Sequence, residues 1–140
     1  MKLNENFRKI LIKDFELAIS QMGSEKDPRK IIYYFSAMPG SMNRIFNLQF
    51  SQELVYLHHI FKSVHEAFIQ RLSALVSGAD PIVQISDKQF SQLINLTKIF
   101  AERFKNKKNY DAILKKLIVL SYSTTGNGYY LMINGKLKLE

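Results

Sequence analysis

Histidine is the side chain best suited to metal binding or proton transfer near neutral pH. This chain has three, His58, His59 and His65, all within one short stretch. None are four apart, the spacing that sets two imidazoles on one helical face over a metal ion. His58 and His65 can share a side of a helix, but no carboxylate lies between them to orient a ring. A helix-surface or boundary role is therefore expected. The acidic residues occur singly or in local pairs such as Asp14/Glu16 and Glu25/Asp27. The second pair falls at a loop and helix start, where capping accounts for it. With no cysteine in the chain, disulfides, thiolate metal sites and cysteine nucleophiles are excluded. Gly126-Asn127-Gly128 has neither the following helix nor the Lys-Ser/Thr of a phosphate-cradling loop. The expectation is a chain with no catalytic residues, no metal and no cofactor: not an enzyme.

Two other groups of residues suit binding rather than catalysis. Tyr33, Tyr34 and Tyr56 lie off the main apolar stripes and, with Arg44, suit a protein interface. The second group is basic. Arg103, Lys105, Lys107, Lys108, Lys115 and Lys116 face only Asp111 in the same stretch, and hold much of a net charge of +8. Such a concentration attracts nucleic acid, an acidic protein surface or a membrane face. As a solvated helix end it would simply aid solubility.

These side chains need elements to position them. The first segment, from about Asn4 to Met22, carries Phe7, Leu11, Phe15, Ala18 and Met22 at helical spacing, and Gly23 is expected to end it in a positive-φ conformation. Asp27-Pro28 starts a second helix with Ile31, Ile32, Phe35 and Met38 inward, which Pro39-Gly40 is expected to break. Ser41 is then read as the cap of a short helix bearing Met42, Ile45 and Phe46. Ser51 is read as the cap of the longest helix, with Phe50 and Val55 as a hydrophobic staple. There Leu54, Leu57, Phe61, Val64, Phe68, Leu72 and Leu75 alternate in steps of three and four. Ser86 and Gln89 have the spacing of a capping box for a helix with Phe90, Leu93, Ile94, Thr97, Phe100, Ala101 and Phe104 buried. Asn109 is the expected cap of a last helix holding Ile113, Leu114, Leu117 and Ile118. Tyr129 to Ile133, Asn134-Gly135 and Lys136 to Leu139 read as a β-hairpin.

The fold class expected is all-α: one domain, a bundle of about five to six helices over residues 1–122. A loop and small C-terminal β-hairpin over 123–140 would pack on the same domain. A length of 140 residues with 46% hydrophobic content is enough for a real core. No stretch is apolar enough for a membrane span or a secretory signal, so a cytoplasmic or nuclear location is expected.

One stretch carries more than a helix pattern. Tyr34-Phe35-Ser36-Ala37-Met38-Pro39, Ile45-Phe46, Phe50-Ser51 and the long helix to Phe68 together resemble one family. It is the C-terminal helical domain of RNA polymerase II-associated protein 3 and sperm-associated antigen 1. In that family a helix carrying a Phe precedes a Tyr-Leu-x-x-Ile-x-Pro helix end, a short Leu-Phe helix, a longer apolar helix, and a helix closing in Arg-Phe. Here Asp14-Phe15-Glu16, Tyr34-Phe35 with Met38-Pro39, Ile45-Phe46 and Glu102-Arg103-Phe104 occupy those places, over about residues 13–104. The resemblance implies an all-helical, chaperone-associated adaptor domain that docks on RuvB-like AAA+ ATPases working with Hsp90. The segment Gln70 to Asp87 is longer than the family's connection, the hairpin has no counterpart, and tetratricopeptide repeats are missing.

The leading expectation is thus a non-catalytic protein–protein interaction module, with a RuvB-like AAA+ ATPase as the partner implied by the resemblance. The alternatives are nucleic-acid binding through the Arg103 to Lys116 patch, and a phage or bacterial effector-like inhibitor.

Overall fold

The structure, a computed structural model, describes residues 3–77 and 87–125. Six helices occupy the described residues: α1 (Glu5–Ser24), α2 (Pro28–Phe35), α3 (Ala37–Phe46), α4 (Gln52–Ser77), α5 (Asp87–Lys105) and α6 (Asp111–Thr125). They form one all-α bundle, as expected. The expected hairpin and Ser86 of the expected capping box lie outside the described residues. Helix α6 extends to Thr125, so Ser123 to Thr125, loop-like in composition, are helical.

The helices close a ring. Helix α1 packs on α5, α5 on α6, α6 on α4, α4 on α3, and α3 back on α1, while α2 lies against α1, α3 and α4. The centre is aromatic. The Phe61 ring lies 4.9 Å from Phe100 and 5.6 Å from Phe35, and Phe15 lies 5.6 Å from Phe104. All five rings are fully buried. Aromatic pairs of this kind add about 0.5–1.5 kcal/mol each beyond area burial. Four elements that meet through single rings therefore share one core. Thr97 is buried among them, and its hydroxyl is satisfied by the carbonyls of Leu93 at 2.9 Å and Ile94 at 2.8 Å.

Capping follows the sequence at some ends and departs from it at others. Asn4 accepts from the Asn6 N–H at 2.8 Å and Asp27 from the Arg29 N–H at 3.0 Å, with Pro28 at the first helical position. Asn109 accepts from the Asp111 N–H at 3.0 Å. Gly23 does not end α1: it is helical, and the helix continues to Ser24. Pro39-Gly40 does not break a helix either. The joint falls at Ser36, and Pro39 sits in the first turn of α3, where its missing N–H would have no intrahelical partner. Ser41 is consequently inside α3, fully buried, and donates to Asp14 Oδ2 at 2.6 Å instead of capping. Ser51 does precede α4, and its carbonyl accepts the Val55 N–H, but its buried hydroxyl makes no hydrogen bond. Phe50 packs edge-on against Phe46, not as a closed staple, and it and Val55 both stay exposed.

Candidate interaction surfaces

The groups with the best chemistry are dispersed or committed. His58 is half-buried, His59 exposed, and His65 half-buried with its ring stacked on Phe35 at 6.3 Å and 8°. Burial pushes both His58 and His65 below the ordinary histidine value; Lys62 and His59 add to the effect at His58, and Glu66 opposes it at His65. Several of the acidic residues are engaged by neighbours. Asp14 accepts from Ser41 and faces Arg44 at 3.6 Å; Glu16 pairs with Lys105 at 3.3 Å; Glu25 accepts from the Lys26 and Asp27 N–H groups. Among the described residues no group of three or more His, Asp or Glu side chains is arranged to hold a metal ion.

Of the four residues expected at a protein interface, Tyr33 and Tyr34 meet, while Arg44 and Tyr56 lie on other helices. Tyr33 is 72% exposed on α2 and meets the half-buried Tyr34 edge-on at 5.7 Å. Arg44 projects from α3 toward Asp14 of α1. Tyr56 lies on α4 near Asp111 of α6; burial first, and then that carboxylate, raises its phenol above the ordinary value. Sequence spacing missed a pair of exposed apolar side chains. Leu48 is 69% exposed and Phe50 60% exposed at the α3–α4 corner, next to the half-buried Phe46. A run of Phe, Leu and Phe at alternate positions is readable, but the staple reading assigned Phe50 inward.

The basic stretch is divided by the fold. Lys115 and Lys116 stand exposed on α6. Lys105 and Lys107 instead turn to α1, where Lys105 meets Glu16 and Lys107 meets Glu5 at 2.7 Å. The hydrogen bond from Lys107 is the main cause holding Glu5 below the usual carboxylate range. Arg103 donates to the Asn109 carbonyl at 3.2 Å, bracing the α5–α6 turn, and Lys108 is exposed at its rim. Because α1 and α5 run antiparallel, the start of α1 lies beside the end of α5. That brings Lys9 and Lys13, which the sequence reading left aside, into a cleft of about 360 Å³ with Lys105 and Lys107.

Beneath this cleft Arg8 ties three elements together. Its guanidinium donates to Glu53 Oε1 at 3.0 Å and to the Phe104 carbonyl at 3.1 Å, and lies 4.3 Å from the centre of the Phe104 ring. Tyr110 packs against the same Phe104 ring at 6.1 Å and edge-on against Phe100 at 5.3 Å. Burial, then the Glu53 charge, push its phenol well above the ordinary tyrosine value.

No family model, curated protein or solved structure matches this chain. Among the described residues, no helix is long and apolar enough to cross a membrane.

Proposed function

We propose that this chain is a non-catalytic helical protein–protein interaction module. The observation that carries the reading is large apolar side chains left in water outside a closed core: Leu48 at 69% and Phe50 at 60% exposure at the α3–α4 corner, and Tyr33 at 72% on α2. Covering one such side chain fully is worth about 1.5–3 kcal/mol, which a partner would recover. Tyr and Phe are also the residues enriched where partners anchor.

The partner class we favour is a RuvB-like AAA+ ATPase. What supports it is the resemblance over about residues 13–104 and the order of elements it calls for. The segment from Ile31 to Phe68 is a short helix, a joint, a short helix, a corner and a long helix. It departs from the family pattern where Pro39 opens α3 instead of closing α2.

The test is a pull-down of purified RuvB-like ATPase by the full chain, repeated with Leu48→Ser/Phe50→Ser and with Tyr33→Ala. Retention by the parent chain, lost in one of these variants while the fold is kept, is the expected result. A parent chain that retains no ATPase would remove this partner class. Retention unaffected by any of the variants would remove the surface.

A further inference from the structure

The cleft between the start of α1 and the end of α5 gathers five basic residues, Arg8, Lys9, Lys13, Lys105 and Lys107, around Ile12, with Glu5 and Glu16 at its edges. We propose that this cleft binds the phosphate backbone of duplex nucleic acid without reading its bases, and that Lys9, Lys13, Lys105 and Lys107 supply the phosphate contacts.

Three observations favour that occupant. The first is backbone strain at one of the lysines. Helix α5 ends in a Schellman arrangement, in which the Lys108 N–H bonds the Arg103 carbonyl at 2.8 Å and the Lys107 N–H bonds the Phe104 carbonyl at 3.3 Å. The left-handed residue of that motif is usually glycine, yet here it is Lys107 at φ 56°. A lysine is thus held in a disfavoured conformation that places its ammonium at the cleft.

The second observation concerns which anion the lysines can gain from. Lys105 and Lys107 already face carboxylates of this chain, in pairs that are more than half exposed. An acidic peptide would exchange one carboxylate for another. A duplex carries a charge about every 1.7 Å and releases condensed counterions as each phosphate is neutralised, so it can displace Glu5 and Glu16. Lys9 and Lys13 sit one turn apart on α1, and no ion pair or hydrogen bond engages either among the described residues.

The third is the lining. Among the described residues no aromatic side chain lines the cleft, so unstacked bases meet no platform from them. Its one guanidinium is committed to Glu53 and the Phe104 carbonyl, so bidentate base reading is absent. A bilayer face would meet the cationic rim, but Ile12 is half-buried and offers no apolar anchor.

Fluorescence polarisation of a labelled duplex with the full chain tests this, with salt raised from 50 to 200 mM. Four phosphate contacts predict a log–log salt slope of about −3.6 and a loss on the order of a hundred-fold across that range. Lys9→Gln/Lys13→Gln should lower the slope by about 2. Glu16→Gln should tighten binding by freeing Lys105, and Lys115→Gln/Lys116→Gln on the outer side of α6 should leave it unchanged. All the substituted side chains are exposed, and circular dichroism establishes that each variant is folded. No polarisation change at 50 mM, a slope unaltered in Lys9→Gln/Lys13→Gln, preference for single strands, or displacement by poly-glutamate as effective as by unlabelled duplex would each overturn the proposal. The ATPase pull-down uses different residues, so the two readings fail separately.

Discussion

Arg8 and Glu53 are far apart in sequence, yet Nη2 of one lies 3.0 Å from Oε1 of the other, with only 12% of the arginine side chain exposed. The same guanidinium satisfies a carbonyl in the last turn of α5 and covers the Phe104 ring. One side chain therefore fixes α1, α4 and α5 against each other. Removing it would leave a partly buried carboxylate without its cation and take from the Phe104 carbonyl one of its two donors. Arg8→Ala is expected to cost about 3 kcal/mol, the low end for breaking such a pair. Glu53→Gln, which can still accept a hydrogen bond, should cost roughly half as much. Urea unfolding of the two single variants and the double variant measures the coupling. Additive effects would show that the pair is not coupled.

Tyr110 extends the same cluster and gives stability an alkaline limit. Its folded value is raised, chiefly by burial, above the ordinary value of about 10. The folded state therefore holds a proton that the unfolded chain gives up first. This contribution is complete below about pH 10 and is lost as pH rises toward the folded value. Midpoints of urea unfolding should fall above about pH 10, and Tyr110→Phe should flatten that limb.

The histidines give the opposite limb. Burial lowers His65 and His58 in the fold, so the unfolded chain binds protons first as pH falls. Their contribution is complete above about pH 6.5 and declines as pH falls through the folded values. His65 is the larger expectation because its ring is stacked on Phe35. His65→Phe should remove part of the acid sensitivity below about pH 6.5, measured as Tm against pH. A parallel profile in the variant would assign the loss to other groups.

How far these relationships are legible in the sequence depends on their range. Local periodicity placed Leu11, Phe15, Ala18 and Met22 inward on α1, and Leu54, Leu57, Phe61 and Val64 inward on α4, because burial repeats with the helical turn. Asp27-Pro28 read correctly because a cap acts on its own helix. Pro39-Gly40 misled because proline is tolerated in a first turn and breaks a helix only further in, so the same residue can open one. Ser41 looked like a cap until Asp14, from another helix, claimed its hydroxyl. At the cleft, Lys105 and Lys107 were visible as charge, but Lys9 and Lys13 join them only through antiparallel packing of α1 on α5. Nothing local to Lys107 encodes that pairing.

Gly40 follows from that correction. It lies inside α3 with a negative-φ helical backbone, and a Cβ added there would meet nothing within 4 Å. Gly40→Ala is therefore expected to stabilise the domain by about 0.5–1 kcal/mol, through lower backbone entropy in the unfolded chain. The gain should appear as a higher urea midpoint with an unchanged slope. Destabilisation would mean that the joint at Ser36 needs glycine at this position.

Lys107→Gly sets stability against binding. Relief of the left-handed conformation is worth about 1–2 kcal/mol, offset in part by the greater backbone freedom of glycine when unfolded. The lost pair with Glu5 subtracts little, since both side chains are about 60% exposed. A net gain of about 0.5–1 kcal/mol is expected. Over the same substitution the salt slope of duplex binding should become shallower by about 1, because one phosphate contact is gone. A variant both more stable and weaker in binding would identify the strained lysine as kept for its charge. A variant that binds equally well would leave the strain at Lys107 without a role in the cleft.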